Sequence, residues 1–95
     1  MTIRRRRAPT VFEARVYAVV RRIPKGQVRS YQWVARQLGH PGLARAVGNA
    51  LNRNPDAART PCHRVIRADG SLGGYAWGAA AKRRRLQQER VRLSR

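Results

Sequence analysis

Acidic residues are scarce in this 95-residue sequence, which has four Asp and Glu against 22 Lys and Arg and a formal net charge of +18. Self-repulsion at such a charge destabilises a compact state, so the imbalance favours a polyanionic partner. Only two of the 22 bases are lysine, so 20 are arginine, whose planar fork matches phosphate. A GC-rich genome is an alternative reason for the arginine excess, but it does not explain the shortage of acids. Nucleic acid is therefore the predicted partner; an anionic membrane surface is the weaker alternative, because no long amphipathic basic helix stands alone.

Cysteine is equally scarce, because Cys62 is the only one and just two histidines accompany it. One cysteine excludes an internal disulfide, and this ligand set is too small for a structural zinc site. Cys62 is followed directly by His63. A thiolate is a nucleophile near neutral pH, and cationic surroundings lower the pKa of a thiol. The pair is a candidate nucleophile and base, although most single cysteines in small intracellular proteins are buried packing residues.

Long apolar segments, internal repeats and linkers are also lacking. No run is long enough to span a membrane, and the four arginines at residues 4–7 are not followed by the apolar stretch of a signal peptide. We therefore expect a cytoplasmic protein, associated with the nucleoid through DNA, that binds no membrane. The predicted organisation is a flexible basic arm over residues 1–9 and a single domain over residues 10–95.

Apolar periodicity predicts three helices in the first half of the chain. Thr10 and Glu13 form a capping box, and the first helix extends from there to Ile23. Ser30 caps the second helix, and the third follows a Gly/Pro turn over residues 39–42. The residues expected to face the core are Phe12, Val16, Val19, Val20 and Ile23, then Tyr31, Val34, Ala35 and Leu38, then Leu43, Ala46, Val47, Ala50 and Leu51. Two short helices across such a turn are typical of a helix-turn-helix.

The second half is turn-rich up to Gly78, apart from a short apolar piece at residues 65–66, and ends in a helix predicted from about Ala79 to Leu93. Glu89 lies on the apolar face of that helix, where an i, i+4 salt bridge with Arg85 is the simplest explanation. We predict an α+β fold, mostly helical. It is a winged-helix-like helix-turn-helix DNA-binding domain with a short hairpin or active-site loop beside Cys62 and a C-terminal helix.

Several motifs occur in a distinctive order along the chain. They are Tyr31, Arg45-Ala46-Val47-Gly48, Asn54-Pro55, Pro61-Cys62-His63-Arg64-Val65, Gly74-Tyr75, Lys82 and Glu89. Together they resemble the DNA-binding, active-site domain of the O6-alkylguanine-DNA alkyltransferases, over roughly residues 10–93. The resemblance implies a repair reaction in which an alkyl group moves from guanine O6 onto the protein's cysteine. Each molecule would act once and would need no metal or organic cofactor.

The resemblance also implies a role for each matching residue in the reaction. Cys62 resembles the nucleophile and acceptor, His63 the base that takes its proton through a water, and Glu89 the carboxylate that orients His63. Asn54 resembles the residue that braces the loop and the helix-turn-helix against the active site. Tyr31 resembles the tyrosine that crowds the phosphate to turn the nucleotide out and donates a proton to N3 of the departing guanine.

The outward face of the third helix is expected to contact DNA. Arg45 resembles the arginine finger that replaces the extruded nucleotide in the base stack; an ordinary phosphate contact is the alternative. The family's helix-turn-helix enters the minor groove, which suits the small residues Ala44 and Gly48. Asn49 and Asn52 lie on the same face. Because a glycine inside a helix costs about 1 kcal/mol relative to alanine, Gly48 indicates either close approach to DNA or close helix packing.

The alkyl pocket is expected in the loops around the cysteine. The residues predicted to line it are Pro61, Val65, Tyr75 and Trp77. Tyr75 resembles the wall against which the flipped base rests, although a core aromatic is the alternative for it and for Tyr31. Three positions depart from the family pattern. Thr60 replaces an aliphatic residue, Arg85 replaces a leucine, and Trp77 is expected to narrow the pocket.

The predicted function is direct reversal of O6-alkylguanine in duplex DNA by a monomer that flips the base. A second candidate is a lesion sensor that hands DNA to nucleotide excision repair proteins. The alkyltransferase-like proteins do this, are similarly short and typically carry Trp or Ala in place of the cysteine. Cys62 favours transfer. An ordinary helix-turn-helix regulator is a third alternative, which the Cys-His-Arg run disfavours.

Overall fold

The structure is mostly helical with one small sheet, which confirms the predicted fold class. The computed structural model describes residues 9–92. Within that range the elements are α1 (Val11–Val20), β1 (Arg29–Ser30), α2 (Tyr31–Gln37), α3 (Ala44–Asn52), β2 (Val65–Ile66) and α4 (Ala79–Gln88), with 3-10 turns at Pro41–Leu43 and Cys62–Arg64. The basic arm predicted over residues 1–9 lies outside the described residues except for Pro9, so it stays a prediction, as does the domain boundary at residue 10. No helix in residues 9–92 is long and apolar enough to cross a membrane.

Helix α1 begins at the predicted capping box. The Thr10 hydroxyl accepts a hydrogen bond from the Glu13 N–H at 3.0 Å, and the Glu13 carboxylate accepts one from the Thr10 N–H at 3.0 Å. The regular helix ends at Val20, before the predicted end at Ile23, because the N–H groups of Arg22 and Ile23 bond to the carbonyls three residues back. Ile23 is nevertheless 2% exposed, so the predicted apolar face is confirmed.

Helices α2 and α3 form the predicted helix-turn-helix. The Ser30 hydroxyl caps α2 by accepting a hydrogen bond from the Trp33 N–H at 2.9 Å. Gly39 follows α2 with φ of +81°, a left-handed conformation that suits glycine. The chain then makes a 3-10 turn before α3, and Leu43 lies in that turn with 39% of its surface exposed. The prediction that Leu43 faces the core is therefore wrong. Leu43 lies in the 3-10 turn before the first residue of α3, so it does not follow the inward-facing pattern of that helix.

The core joins the helix-turn-helix to α1 and to the cysteine loop. Buried apolar side chains of α1, α2 and α3 form one cluster that also contains Cys62 and Val65. Tyr17, absent from the predicted core, is buried, and its hydroxyl donates to the Ala50 carbonyl at 2.7 Å. This bond ties α1 to α3, so the loop and the helix-turn-helix share one support.

The small sheet consists of two parallel strands. Arg29 pairs with Val65 and Ser30 with Ile66. The sequence predicted a hairpin or a loop beside Cys62, but the strand after the cysteine pairs instead with the segment that leads into α2. The pairing determines which residues lie next to each other, because parallel strands end at the same edge of a sheet. The residues after each strand, Tyr31 and Arg67, are therefore brought side by side.

Helix α4 is shorter than predicted. It ends at Gln88 with Glu89 as its C-cap, whereas Leu93 lies outside the described residues. Arg90 has φ of +62°, and the N–H of Val91 bonds to the Leu86 carbonyl at 2.9 Å. This is the hydrogen-bond pattern of a Schellman C-terminus, with arginine at the position where glycine is usual. The turn fixes the direction in which Glu89 leaves the helix.

Candidate active site

Cys62 lies at the start of a 3-10 turn and is 3% exposed. Its Sγ accepts a hydrogen bond from Asn54 Nδ2 at 3.3 Å. The same amide group donates to the Thr60 carbonyl at 2.9 Å, while Asn54 Oδ1 accepts from the Asp56 N–H at 3.0 Å. Asn54 follows the end of α3 and is itself buried. One side chain therefore links the end of the helix-turn-helix, the loop and the sulfur.

Burial raises the pKa of the Cys62 thiol. The Asn54 hydrogen bond and the positive charge of Lys82 act in the opposite direction, but desolvation outweighs them. The expectation that cationic surroundings set the state of Cys62 is therefore only partly met. The thiol is the resting form at neutral pH, and it needs a proton acceptor when it reacts.

His63 is buried beside Cys62 and faces Glu89. Its Nε2 lies 3.0 Å from Glu89 Oε2, while Nδ1 has no hydrogen-bond partner within residues 9–92. Burial lowers the pKa of His63 more than the neighbouring carboxylate raises it. The imidazole is therefore neutral at pH 7, with its proton on Nε2 against the ionised Glu89 and a lone pair on Nδ1 that can accept a proton.

Glu89 is held by Arg64, a residue of the Pro-Cys-His-Arg motif to which the sequence assigned no role. Arg64 Nε donates to Oε1 at 3.0 Å and Nη2 to Oε2 at 2.7 Å, while Nη1 donates to the Ile23 carbonyl at 2.8 Å. The fork of hydrogen bonds lowers the pKa of Glu89 to about 2, against the opposing effect of burial. Glu89 is thus ionised and pairs with Arg64 and His63 rather than with Arg85.

Lys82 is a second residue whose role the sequence did not reveal. Its side chain is fully buried, and Nζ donates to the carbonyls of Val65 at 2.6 Å, Leu72 and Gly74 at 3.1 Å. Burial lowers the pKa of Lys82 to about 8. Because carbonyls from β2 and from the loop at residues 72–74 meet at one ammonium, Lys82 ties this loop to the strand that follows the cysteine turn.

Tyr31 lies between this loop and α3. Its hydroxyl donates to the Gly74 carbonyl at 3.2 Å and is 3.4 Å from Lys82 Nζ. Gly73, with φ of +72°, passes so close that a Cβ there would lie 2.7 Å from the Tyr31 hydroxyl. Burial, followed by the charge of Cys62, raises the pKa of Tyr31. The phenol is therefore neutral and close to the thiol.

The four residues predicted at the alkyl pocket separate into two groups. Tyr75 and Trp77 contact each other with ring centroids 5.3 Å apart at 59°, and Trp77 is 46% exposed. These two rings form the outer, accessible part of the loop. Val65 is fully buried in the core cluster, and Pro61 is buried beside the cysteine. They support the loop from beneath.

The two substituted positions near the cysteine have polar partners of their own. Thr60 is 1% exposed, and its hydroxyl accepts a hydrogen bond from Arg21 Nε at 3.1 Å. The positive charge of Arg85 acts on Tyr75 and Cys62 and lowers the pKa of each, against the larger effect of burial. Neither departure displaces the His63–Glu89 contact, because Arg64 supplies the partner of the carboxylate.

An open cavity of about 590 Å³ lies along the outward face of α3. All of the residues predicted to contact DNA line it, namely Tyr31, Ala44, Arg45, Gly48, Asn49 and Asn52. A Cβ at Gly48 would lie 3.7 Å from the Tyr31 ring, an ordinary contact. Internal packing therefore does not require this glycine, which leaves close approach of a partner in the cavity as the remaining explanation.

Arg67, in the loop after β2, also lines the cavity, and no motif in the sequence singled it out. Within residues 9–92 no group of three or more His, Cys, Asp or Glu side chains could hold a metal ion. The site is thus a helix-turn-helix with a polar cavity next to a buried cysteine, histidine and glutamate. The fold and the site therefore define the class of this chain: it is a helix-turn-helix domain with a buried thiol site.

Comparison with known proteins identifies the family. The family described as "6-O-methylguanine DNA methyltransferase, DNA binding domain" matches residues 11–91. A methylated-DNA--protein-cysteine methyltransferase of Mycobacterium tuberculosis is 49% identical over 83 residues, which are 87% of this chain and 50% of that protein. The chain therefore belongs to the 6-O-methylguanine DNA methyltransferase family, and it spans about half the length of the curated relatives it matches.

Solved structures give the same result. The M. tuberculosis OGT in complex with DNA has a TM-score of 0.81 and 50% identity, over 85% of this chain and 49% of that one. S. pombe Atl1, solved in complex with damaged DNA containing O6-carboxymethylguanine, has a TM-score of 0.77 and 34% identity, over 85% of this chain and 77% of that one.

Proposed function

We propose that this chain repairs duplex DNA by transferring an alkyl group from O6-alkylguanine to Cys62 in a single turnover. The observation that carries the proposal is the position of the Cys62 sulfur. It is held by Asn54 and lies next in sequence to His63, which faces Glu89. Tyr31 lines the cavity of α3, and burial raises the pKa of its phenol, so the phenol keeps a proton that it can donate. We propose that a base enters through that cavity and reaches the sulfur.

The proposed chemistry uses the proton positions described above. The sulfur attacks the alkyl carbon, so that a carbon–sulfur bond forms while the carbon–O6 bond breaks. The thiol proton passes through a water to Nδ1 of His63, and ionised Glu89 stabilises the resulting imidazolium. Tyr31 donates its phenolic proton to N3 of the leaving guanine, which departs as a neutral base. Afterwards solvent takes the extra proton from His63 and returns one to Tyr31, but water cannot cleave the thioether, so the protein is consumed.

The proposed route to the sulfur is base flipping from the minor groove. Guanine O6 is inside the duplex, so the nucleotide has to leave the stack, at a cost of a few kcal/mol. Arg45 is exposed on the cavity wall, where its guanidinium can occupy the vacated position. Ala44 and Gly48 leave room for the sugar–phosphate edges of a narrow groove. The proposed species on DNA is a cytoplasmic monomer held by its arginine-rich surface.

A lesion sensor that recruits nucleotide excision repair proteins is the second candidate. It is favoured by the similarity to S. pombe Atl1, which was solved in complex with damaged DNA. The thiol at position 62, with its Asn54 hydrogen bond and neighbouring histidine, favours transfer instead.

One experiment decides between the two. The protein is incubated with a duplex that contains O6-methylguanine, and its intact mass is measured before and after the incubation. Peptide mapping then locates any added methyl group. We expect one methyl group per protein molecule, located on Cys62 and absent from the Cys62→Ala variant. Tight, lesion-dependent binding of the native protein without any gain in mass would overturn transfer and support the sensor.

A further inference from the structure

Arg67 occupies a fixed position at the edge of the sheet. It follows β2, and the parallel register of Ser30 with Ile66 places it beside Tyr31. Both of its backbone polar groups are hydrogen-bonded: its N–H donates to the Ser71 carbonyl at 3.0 Å, and its carbonyl accepts from the Gly70 N–H at 3.0 Å. The start of the Arg67 side chain is therefore set by a closed turn.

The guanidinium of Arg67 is free to bind a ligand. The side chain is exposed, lines the cavity and makes no hydrogen bond or ion pair with any of residues 9–92. The buried acids are already engaged, because Glu13 pairs with Arg53 and Glu89 with Arg64. The closest acid in sequence, Asp69, accepts hydrogen bonds from the Ser71 N–H and hydroxyl. The positive charge of Arg67 also lowers the pKa values of Tyr31 and Lys82, although burial has the larger effect on both.

The cavity is thus lined by two arginines that make no side-chain hydrogen bond or ion pair within residues 9–92. Arg45 lies on α3 and Arg67 on the loop after β2, and Tyr31 lines the same cavity. A guanidinium presents donors in a fork that fits the oxygens of a phosphate. If Arg45 fills the gap in the base stack, the extruded nucleotide enters the cavity that Arg67 also lines. The phosphate of that nucleotide would then come within reach of the Arg67 guanidinium.

We propose that Arg67 is a DNA-positioning residue that binds a backbone phosphate of the extruded nucleotide, across the cavity from Arg45. This inference rests on the proposed binding of lesion-containing DNA. It extends the interface from the helix-turn-helix to the turn after β2, so that the segments on either side of this short strand hold the nucleophile and the nucleotide.

The test compares Arg67→Ala, Arg67→Lys and the charge-matched control Arg83→Ala, in which an exposed arginine of α4 outside the cavity lining is removed. Each protein is measured on three substrates: an O6-methylguanine duplex, the same duplex with a methylphosphonate at either phosphate of the lesion nucleotide, and free O6-benzylguanine. Binding affinity is recorded at several salt concentrations, and the transfer rate at one.

We expect Arg67→Ala to weaken duplex binding and slow duplex transfer by roughly ten- to a hundredfold, as for the loss of a charge-assisted hydrogen bond. The salt slope should fall by about 0.9, as for the loss of one phosphate contact. Reaction with the free base should change less than about twofold. Arg67→Lys should keep the salt slope and recover part of the affinity, because an ammonium keeps the charge but not the fork.

The neutral phosphate separates a direct contact from an indirect effect. One methylphosphonate position should weaken binding by the native protein and should add no further loss in Arg67→Ala. Additive losses at both positions, or an Arg67→Ala effect no larger than that of Arg83→Ala, would overturn the proposal. If the native protein is never alkylated, the proposed transfer fails, but the binding and methylphosphonate measurements still decide the role of Arg67.

Discussion

Replacement of Glu89 by glutamine tests the electrostatic support of the site. The pKa of Glu89 falls from its ordinary value of 4.5 to about 2, chiefly through the hydrogen bonds from Arg64. Its side chain is only 11% exposed, so solvent screens the interaction little. Such a fall corresponds to about 3 kcal/mol of stability at pH 7. Glu89→Gln should lose an amount of this order, since an amide cannot supply the negative charge.

The predicted loss depends on pH in a definite direction. The carboxylate stabilises the folded state fully above its unfolded pKa of about 4.5, and the contribution disappears as pH falls through about 2. The difference between native protein and Glu89→Gln should therefore be about 3 kcal/mol at pH 7 and about half of that near pH 3. Urea unfolding at several pH values measures it, with Gln88→Ala as an exposed neighbour expected to change stability by less than about 0.5 kcal/mol.

Two results would refute this reasoning. A Glu89→Gln loss below about 0.5 kcal/mol at pH 7 would mean that desolvation of the carboxylate cancels its ion pairs. A loss that stays constant between pH 7 and pH 3 would mean that shape, and not charge, is what glutamine fails to supply. A cycle with Arg64→Met adds a check, because in that background Glu89→Gln should cost much less.

Three further variants test the surroundings of the sulfur and the cavity. Asn54→Ala should raise the pKa of Cys62 further, because it removes the hydrogen bond to Sγ; the pH dependence of alkylation by iodoacetamide measures this change. Gly73→Ala should destabilise the protein by about 1–2 kcal/mol from its left-handed backbone alone, and should slow transfer besides, because its Cβ would displace the Tyr31 hydroxyl. Arg45→Ala should slow transfer from duplex DNA far more than reaction with free O6-benzylguanine, and Arg45→Lys should recover binding more than transfer, because an ammonium cannot stack.

For each of these three predictions, one result would contradict the reasoning. For Asn54→Ala it is an unchanged or lower thiol pKa. Gly39→Ala is the control for Gly73→Ala, since Gly39 has φ of +81° with open space around its Cβ position; equal effects on transfer would show that crowding of the tyrosine is irrelevant. Equal losses by Arg45→Ala on duplex and free base would assign Arg45 to support of the site rather than to DNA.

The elements that could be predicted from the sequence are those with local signals. The caps at Thr10 and Ser30 are formed by residues three positions apart, and the apolar faces repeat within one helix. The end of α4 carried no such signal, because Arg90 occupies a left-handed position at which glycine is the usual marker. The strand pair involves two residues on each side and a partner far along the chain, so periodicity could not reveal it.

The sequence motifs selected the residues of the candidate site, but they did not reveal the hydrogen bonds and ion pairs that hold these residues. The motifs selected Cys62, His63 and Glu89, and the structure brings Glu89 to His63. The partners that set their protonation, Arg64 and Lys82, act through contacts between distant segments. In a chain with 22 Lys and Arg residues, nothing in the sequence sets these two apart from the others. They differ from most of the other basic residues in being largely buried, and burial is known only once the fold is known.

Charge acts at two separate levels in this protein. The net charge of +18 is carried mainly by exposed arginines, whereas the pKa of Cys62 is raised because burial outweighs the cations near it. In the proposed transfer each thiol would react once and would gain little from being ionised in advance, since a resting thiolate also reacts with other electrophiles. Burial favours the neutral thiol, and the proposal assigns the role of proton acceptor to neutral His63. Variants of surface arginines should therefore alter salt dependence without altering reaction with a free base, while variants of Asn54 or Glu89 should do the reverse.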